Sequence, residues 1–172
     1  YKFKRTENID DIAKIEVLNI ILGGSMSSRL FNDLRENKKL AYHVSSNIFK
    51  NFDTGAIVLN IGTTTDSPDP KEGSPQNISS ALESFKNNVE LLKTQNVTEK
   101  ELDNAKKHLK ANILASLETN SDITTHYCSA KRTPYGAKYH EELYKAIDKI
   151  TADDIRQTAN YLFQNPPVTS NV

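Results

Sequence analysis

The 172-residue sequence contains no tryptophan, a single methionine and a single cysteine. A lone Cys128 excludes an intrachain disulfide framework and a multi-cysteine zinc site, and one thiol does not identify a compartment. The location is therefore left open, with the cytoplasm favoured. Charge of one sign is also missing: 22 Lys and Arg balance 22 Asp and Glu. Without a net field to hold a polyanion, nucleic acid is excluded as the expected partner. No apolar run reaches the roughly 18 residues of a membrane span, and the densest, Ile12 to Leu22, is broken by Lys14, Glu16 and Asn19. The opening Tyr-Lys-Phe-Lys-Arg has neither a signal-peptide core nor an initiator methionine, so a fragment of a longer chain is expected. What remains, 37% hydrophobic and 26% charged residues, suits one folded, soluble domain over residues 1–172.

The apolar residues are well patterned. Ile9, Ile12, Ile15, Leu18 and Ile21/Leu22 recur at helical spacing, with Asp10 and Asp11 suited to a first turn. Gly23-Gly24 ends this helix, by the expected ease with which glycine turns left-handed. Ser25 to Ser28 offers caps for a second helix with Leu30, Phe31 and Leu34 on its apolar face and Arg35 near its end. From Ala41 the period becomes two, and Tyr42, Val44 and Ile48, then Ile57, Leu59 and Ile61, predict a hairpin turning at 51–55. Residues 64–77, rich in Pro, Ser, Thr and Asp, read as a loop. Beyond it Ile78, Leu82, Phe85, Val89 and Leu92 predict a long helix. Capping-box spacings at Thr98/Glu101 and Thr151/Asp154 start two more, and shorter helices are predicted over 122–132 and 139–148. The class is α+β: an antiparallel or mixed sheet of about three to five strands with helices on one face. Two strands make a poor sheet, so others must come from the termini or a partner, and an exposed edge makes a homo-oligomer possible.

Catalytic patterns mostly fail. His140-Glu141-Glu142-Leu143-Tyr144 begins like a His-Glu-x-x-His zinc motif but places tyrosine at the second ligand position, and the inverted His-x-x-Glu-His is absent. No metal site is expected in this chain. His126 and Cys128, two apart, diverge on a helix, and a thiol hydrolase would need them to converge in a cleft. Gly23-Gly24-Ser25 lacks the Gly-Lys-Ser/Thr of a phosphate loop.

One stretch is more specific: Leu22-Gly23-Gly24-Ser25-Met26-Ser27-Ser28-Arg29-Leu30-Phe31-Asn32-Asp33-Leu34-Arg35-Glu36, followed by Leu40-Ala41-Tyr42. Together with Asp53-Thr54-Gly55, Val97 to Lys106 and Ile150 to Ile155, it closely resembles the C-terminal homologous domain of the pitrilysin/insulinase zinc peptidases, the inverzincins, which include mitochondrial processing peptidase.

The resemblance implies a clam-shell of two homologous halves, of which this chain is the half without metal. The zinc cofactor and general base then lie in the partner, an N-terminal homologous half or a separate subunit, and the substrate is a peptide or unfolded segment. Catalytic residues are not expected here. The family's substrate-contacting arginine and tyrosine, seven apart, correspond to Arg35 and Tyr42, whose guanidinium and phenol are suited to donate to a peptide carbonyl or an oxyanion. An alternative within the family is an inactive scaffold or substrate-presenting subunit. Lys39 stands where the family commonly has glycine, which puts the placement of Tyr42 at issue. Taken without the resemblance, Arg35 reads as a helix-end cation and Tyr42 as a half-buried strand aromatic.

Overall fold

The computed structural model describes residues 1–51, 53–63 and 75–170. Its centre is helix α1 (Ile9–Leu22), in which every residue from Val17 to Leu22 is buried. The Asn8 side chain caps it by accepting from the Asp10 and Asp11 amides. Such all-round burial follows from the extra apolar residues that widen its stripe, because α1 has neighbours on several sides. Helices α3 (Glu99–Ala115), α5 (Tyr139–Lys149) and α6 (Ala152–Leu162) all pack on it, and α2 (Pro75–Thr94) packs on α6. Thr98 with Glu101 and Thr151 with Asp154 close both capping boxes. Helix α4 (Asn120–Ala130) lies at the periphery and buries Ala130.

The sheet has three antiparallel strands in the order β1 (Lys2–Lys4), β3 (Thr54–Gly62), β2 (His43–Lys50). Ile48 faces Ile57 and Val44 faces Ile61, and the N-terminus supplies the third strand with Phe3 opposite Gly55. Phe3, Val44, Ser46 and Ile57 turn toward the helices and are buried, whereas His43, Asn47, Phe49 and Val58 lie on the opposite, uncovered face. Helices on one face of an α+β sheet are thus as expected. The C-terminal segment adds no strand among the described residues, since 166–170 are irregular. The expected loop overlaps a helix: α2 opens at Pro75, where a proline suits the first turn, and the rest of that stretch, 64–74, lies outside the described residues. In the hairpin turn the Asn51 amide donates to the Thr54 carbonyl at 2.8 Å, with Phe52 outside the described residues.

Two local expectations are corrected. Gly23 is not left-handed (φ −159°, ψ 6°), and among the described residues Lys39 is the non-glycine residue with positive φ. Glycine is required at 23 for a different reason: a Cβ there would lie 2.7 Å from Ser46 Cβ. This close approach lets the Ser46 amide donate to the Gly23 carbonyl at 3.1 Å while Ser46 Oγ donates to Asn19 Oδ1, joining the end of α1 to β2. The second correction concerns the helix after Ser28, which widens into a π-helical segment, Phe31–Asn37. The Lys38 amide reaches the Asp33 carbonyl, five residues back, at 3.0 Å, and the Leu40 amide reaches Leu34 at 2.8 Å. Leu30 and Leu34 are still fully buried, because a spacing of four serves a wide turn nearly as well as an α turn.

Candidate functional site

The π-helical segment delivers Arg35 to the edge of the sheet where β2 begins. Its guanidinium carbon lies 4.8 Å from the Phe31 ring centre and 5.2 Å from that of Tyr42. A cation over two aromatic rings is held by the negative ring faces, so the guanidinium is oriented without losing its N–H donors to the core. Arg35 Nε stands 3.9 Å from Glu36 Oε1, a loose and exposed pair. Tyr42 is 87% exposed and precedes the ladder, so it does not share the buried side of Val44 as the alternation in the sequence implies.

Tyr42 can sit there because the chain turns sharply at Lys39, with φ at 53°. The resemblance noted in the sequence implies glycine at this position. Here a lysine bears the cost of the left-handed conformation, about 1 kcal/mol. The departure therefore leaves Arg35 and Tyr42 together.

The segment is tied down on both sides. At its start Arg29 makes a bidentate pair with Glu101, at 2.8 and 3.2 Å, on the first turn of α3. Burial pushes the Glu101 carboxyl up, but the Arg29 guanidinium and the bonds from Thr98 outweigh it and hold the group below the usual carboxylate range. At its far end Asp33 and Lys38 contact Ser84 and Asn88 of α2. Sequence reading missed these ties, and it missed Phe31 as the lower platform of Arg35; the spacing of four between Phe31 and Arg35 is the signal that would have found it.

The histidines form a second grouping. His126 and His140 meet edge to face, 5.0 Å between ring centres, beside a cavity of about 180 Å³ lined also by Arg5, Glu7 and Tyr139. Burial, and then His126, push His140 below its ordinary pKa. Cys128 is exposed and does not line this cavity, so the cysteine and His126 do not converge. Among the described residues no three of His, Cys, Asp and Glu are grouped so as to hold a metal ion. A tetrahedral zinc site with an open position needs three protein ligands, a set that the described residues do not bring together. No helix among the described residues is long and apolar enough to cross a membrane.

The described residues form an α+β unit, a three-stranded sheet with helices on one face, and Arg35 and Tyr42 meet at its edge. Residues 1–109 match the family described as Peptidase M16 inactive domain, and the chain belongs to that metallopeptidase family. It is 40% identical over 150 residues to the zinc protease YmxG of Bacillus subtilis, covering 86% of this chain and 34% of that protein. A zinc protease of Rickettsia felis is 31% identical over 163 residues, 92% of this chain and 36% of that one. The chain thus spans about a third of the length of the curated relatives it matches. The fold is shared with the peptidase M16 inactive domain from Pseudomonas fluorescens, at TM-score 0.65 and 23% identity over 87% of this chain and 34% of that one. It is also shared with a conserved protein of Enterococcus faecalis, at TM-score 0.71 and 22% identity over 93% of this chain and 36% of that one.

Proposed function

We propose that residues 1–172 form the substrate-binding, non-metal half of a zinc endopeptidase that cleaves peptides or unfolded segments. The observation that carries this reading is the Arg35 guanidinium lying over the exposed Tyr42 ring at 5.2 Å, at the edge of the sheet rather than in the core. Both groups donate and neither packs the interior, so they are free to bond a peptide carbonyl. When that carbonyl is attacked, charge develops on its oxygen, and donors already oriented stabilise the charge without reorganising. The zinc, which polarises the carbonyl and activates water, and the general base belong to the partner half.

The test is steady-state kinetics on a short unstructured peptide, with this half joined to its metal-binding partner, alongside denaturant melts. Arg35→Ala and Tyr42→Phe should each lower turnover on the order of 10²-fold. Stability should move by less than about 0.5 kcal/mol, as for surface changes generally. Turnover that survives both changes makes the pair structural and transfers the role to an inactive, substrate-presenting scaffold.

A further inference from the structure

Arg35 lies inside a wide turn closed twice by the same two residues. The Lys38 amide donates to the Asp33 carbonyl at 3.0 Å, and the Lys38 ammonium lies 3.0 Å from Asp33 Oδ1. The other carboxylate oxygen accepts from Asn88 Nδ2 at 2.9 Å, and Lys38 Nζ also donates to Ser84 Oγ. Asn88 Nδ2 shares its donation with the Ser84 carbonyl, at 2.9 Å, within α2. Ser84 and Asn88 are buried, which shelters the Asn88–Asp33 bond from competing water, whereas Asp33 is half-buried and Lys38 exposed. A π turn spends one extra residue per turn and is less stable than the α turn it replaces. The sequence Phe31 to Asn37 carries no proline or glycine to force that geometry. Asp33 and Lys38, which close the wide turn, are also the residues that bond to one face of α2.

We propose that Asp33, Lys38, Ser84 and Asn88 are positioning residues for substrate binding: a polar latch to α2 that holds the π turn open and so sets Arg35 over Tyr42. The proposal rests on the role given above to Arg35 and Tyr42. An α-helical turn in place of the π turn would rotate Arg35 about the helix axis and draw Lys39 back along it, separating the guanidinium from the phenol. A displacement of this size at a substrate donor lowers turnover by roughly tenfold to a hundredfold.

The experiment uses the assembled two-half enzyme and two variants, Asp33→Asn and Lys38→Met, each alone and combined with Arg35→Ala. Two readouts are taken: kcat/KM on a short unstructured peptide, and hydrogen exchange at the Lys38 and Leu40 amides, which close the wide turn. The expected result is faster exchange at these amides and at least tenfold lower kcat/KM with Arg35 present. No further loss is expected once Arg35 is alanine, and Lys38→Arg should restore most of the rate. Lys38→Met decides the matter should Asp33→Asn unfold the domain. Unchanged exchange overturns the latch whatever the kinetics. Faster exchange with full turnover, where Arg35→Ala alone is slow, overturns the positioning role and leaves the Arg35 reading standing. Full turnover in Arg35→Ala itself overturns that reading, and the positioning role with it.

Discussion

Helix α1 and the segment from Phe31 to Tyr42 both pack against β2, yet they are built on opposite terms. α1 is a regular α-helix buried at every residue from Val17 to Leu22, and all of these but Asn19 are apolar. The other is a π turn followed by a left-handed lysine, anchored by Leu30 and Leu34 but held in shape by polar side chains from α2 and α3. Apolar packing is non-directional and tolerates no voids, so it makes a rigid support. Polar ties are directional and fix the aim of a single side chain. The first region accounts for stability, and the second for where Arg35 and Tyr42 point.

The sharpest way to break that contrast is at its two extremes. Leu18→Ala empties a fully buried position in α1 and should cost 2–5 kcal/mol in a denaturant melt, about the range for cavity-forming core changes. A loss below about 1 kcal/mol would mean that α1 is not the support described here. Arg35→Ala should do the reverse, with turnover down on the order of 10²-fold and a melt within about 0.5 kcal/mol of the parent. Glu101 lies between the extremes, since it caps α3 and holds Arg29 at once. Its carboxyl is depressed in the folded state, so its contribution is complete above the ordinary carboxylate range and fades as pH falls through its folded pKa. Glu101→Gln should therefore cost about 1 kcal/mol at pH 7, with variant and parent converging in acid. A gap constant with pH would mean the charge is irrelevant. The smallest effect belongs to Lys39→Gly, expected to stabilise by about 0.5 kcal/mol as relief of the left-handed strain outweighs the entropy glycine adds to the unfolded chain. Thermal melts precise to a degree decide it, and destabilisation would show that the Lys39 side chain contributes more than its backbone costs.

The two regions also differ in how far the sequence reveals them. α1, the two capping boxes and the hairpin are legible because the bonds that form them connect residues close in the chain, and the spacing of apolar residues records the buried face. β1 is legible only as a need, since two strands make a poor sheet and another must come from the termini or a partner; three residues carry too little alternation to place it, and Phe3 finds its partner Gly55 far along the chain. The π turn is hidden for the same reason: Leu30 and Leu34 fit either winding, and the contacts that tie down the wider one come from Ser84 and Asn88 in another helix. Gly23 reads as a break from the sequence, yet the cause differs, because nothing local announces that Ser46 will lie against it. Arg35 and Tyr42 came from the resemblance to zinc peptidases. Their spacing of seven merely permits the contact that the left-handed turn at Lys39 produces.

The uncovered face of the sheet carries one more consequence. Along β2 and β3 every second residue packs against helices and its neighbour meets open space, so Val44, Ser46 and Ile57 are constrained while His43, Asn47 and Val58 are not. A saturation-mutagenesis survey of residues 43–62, scored for folded yield alone, should show tolerance alternating with a period of two, and no period at all from Val17 to Leu22. Scored for the peptide cleavage proposed above, any position on the open face that loses its tolerance would mark a contact made beyond this domain.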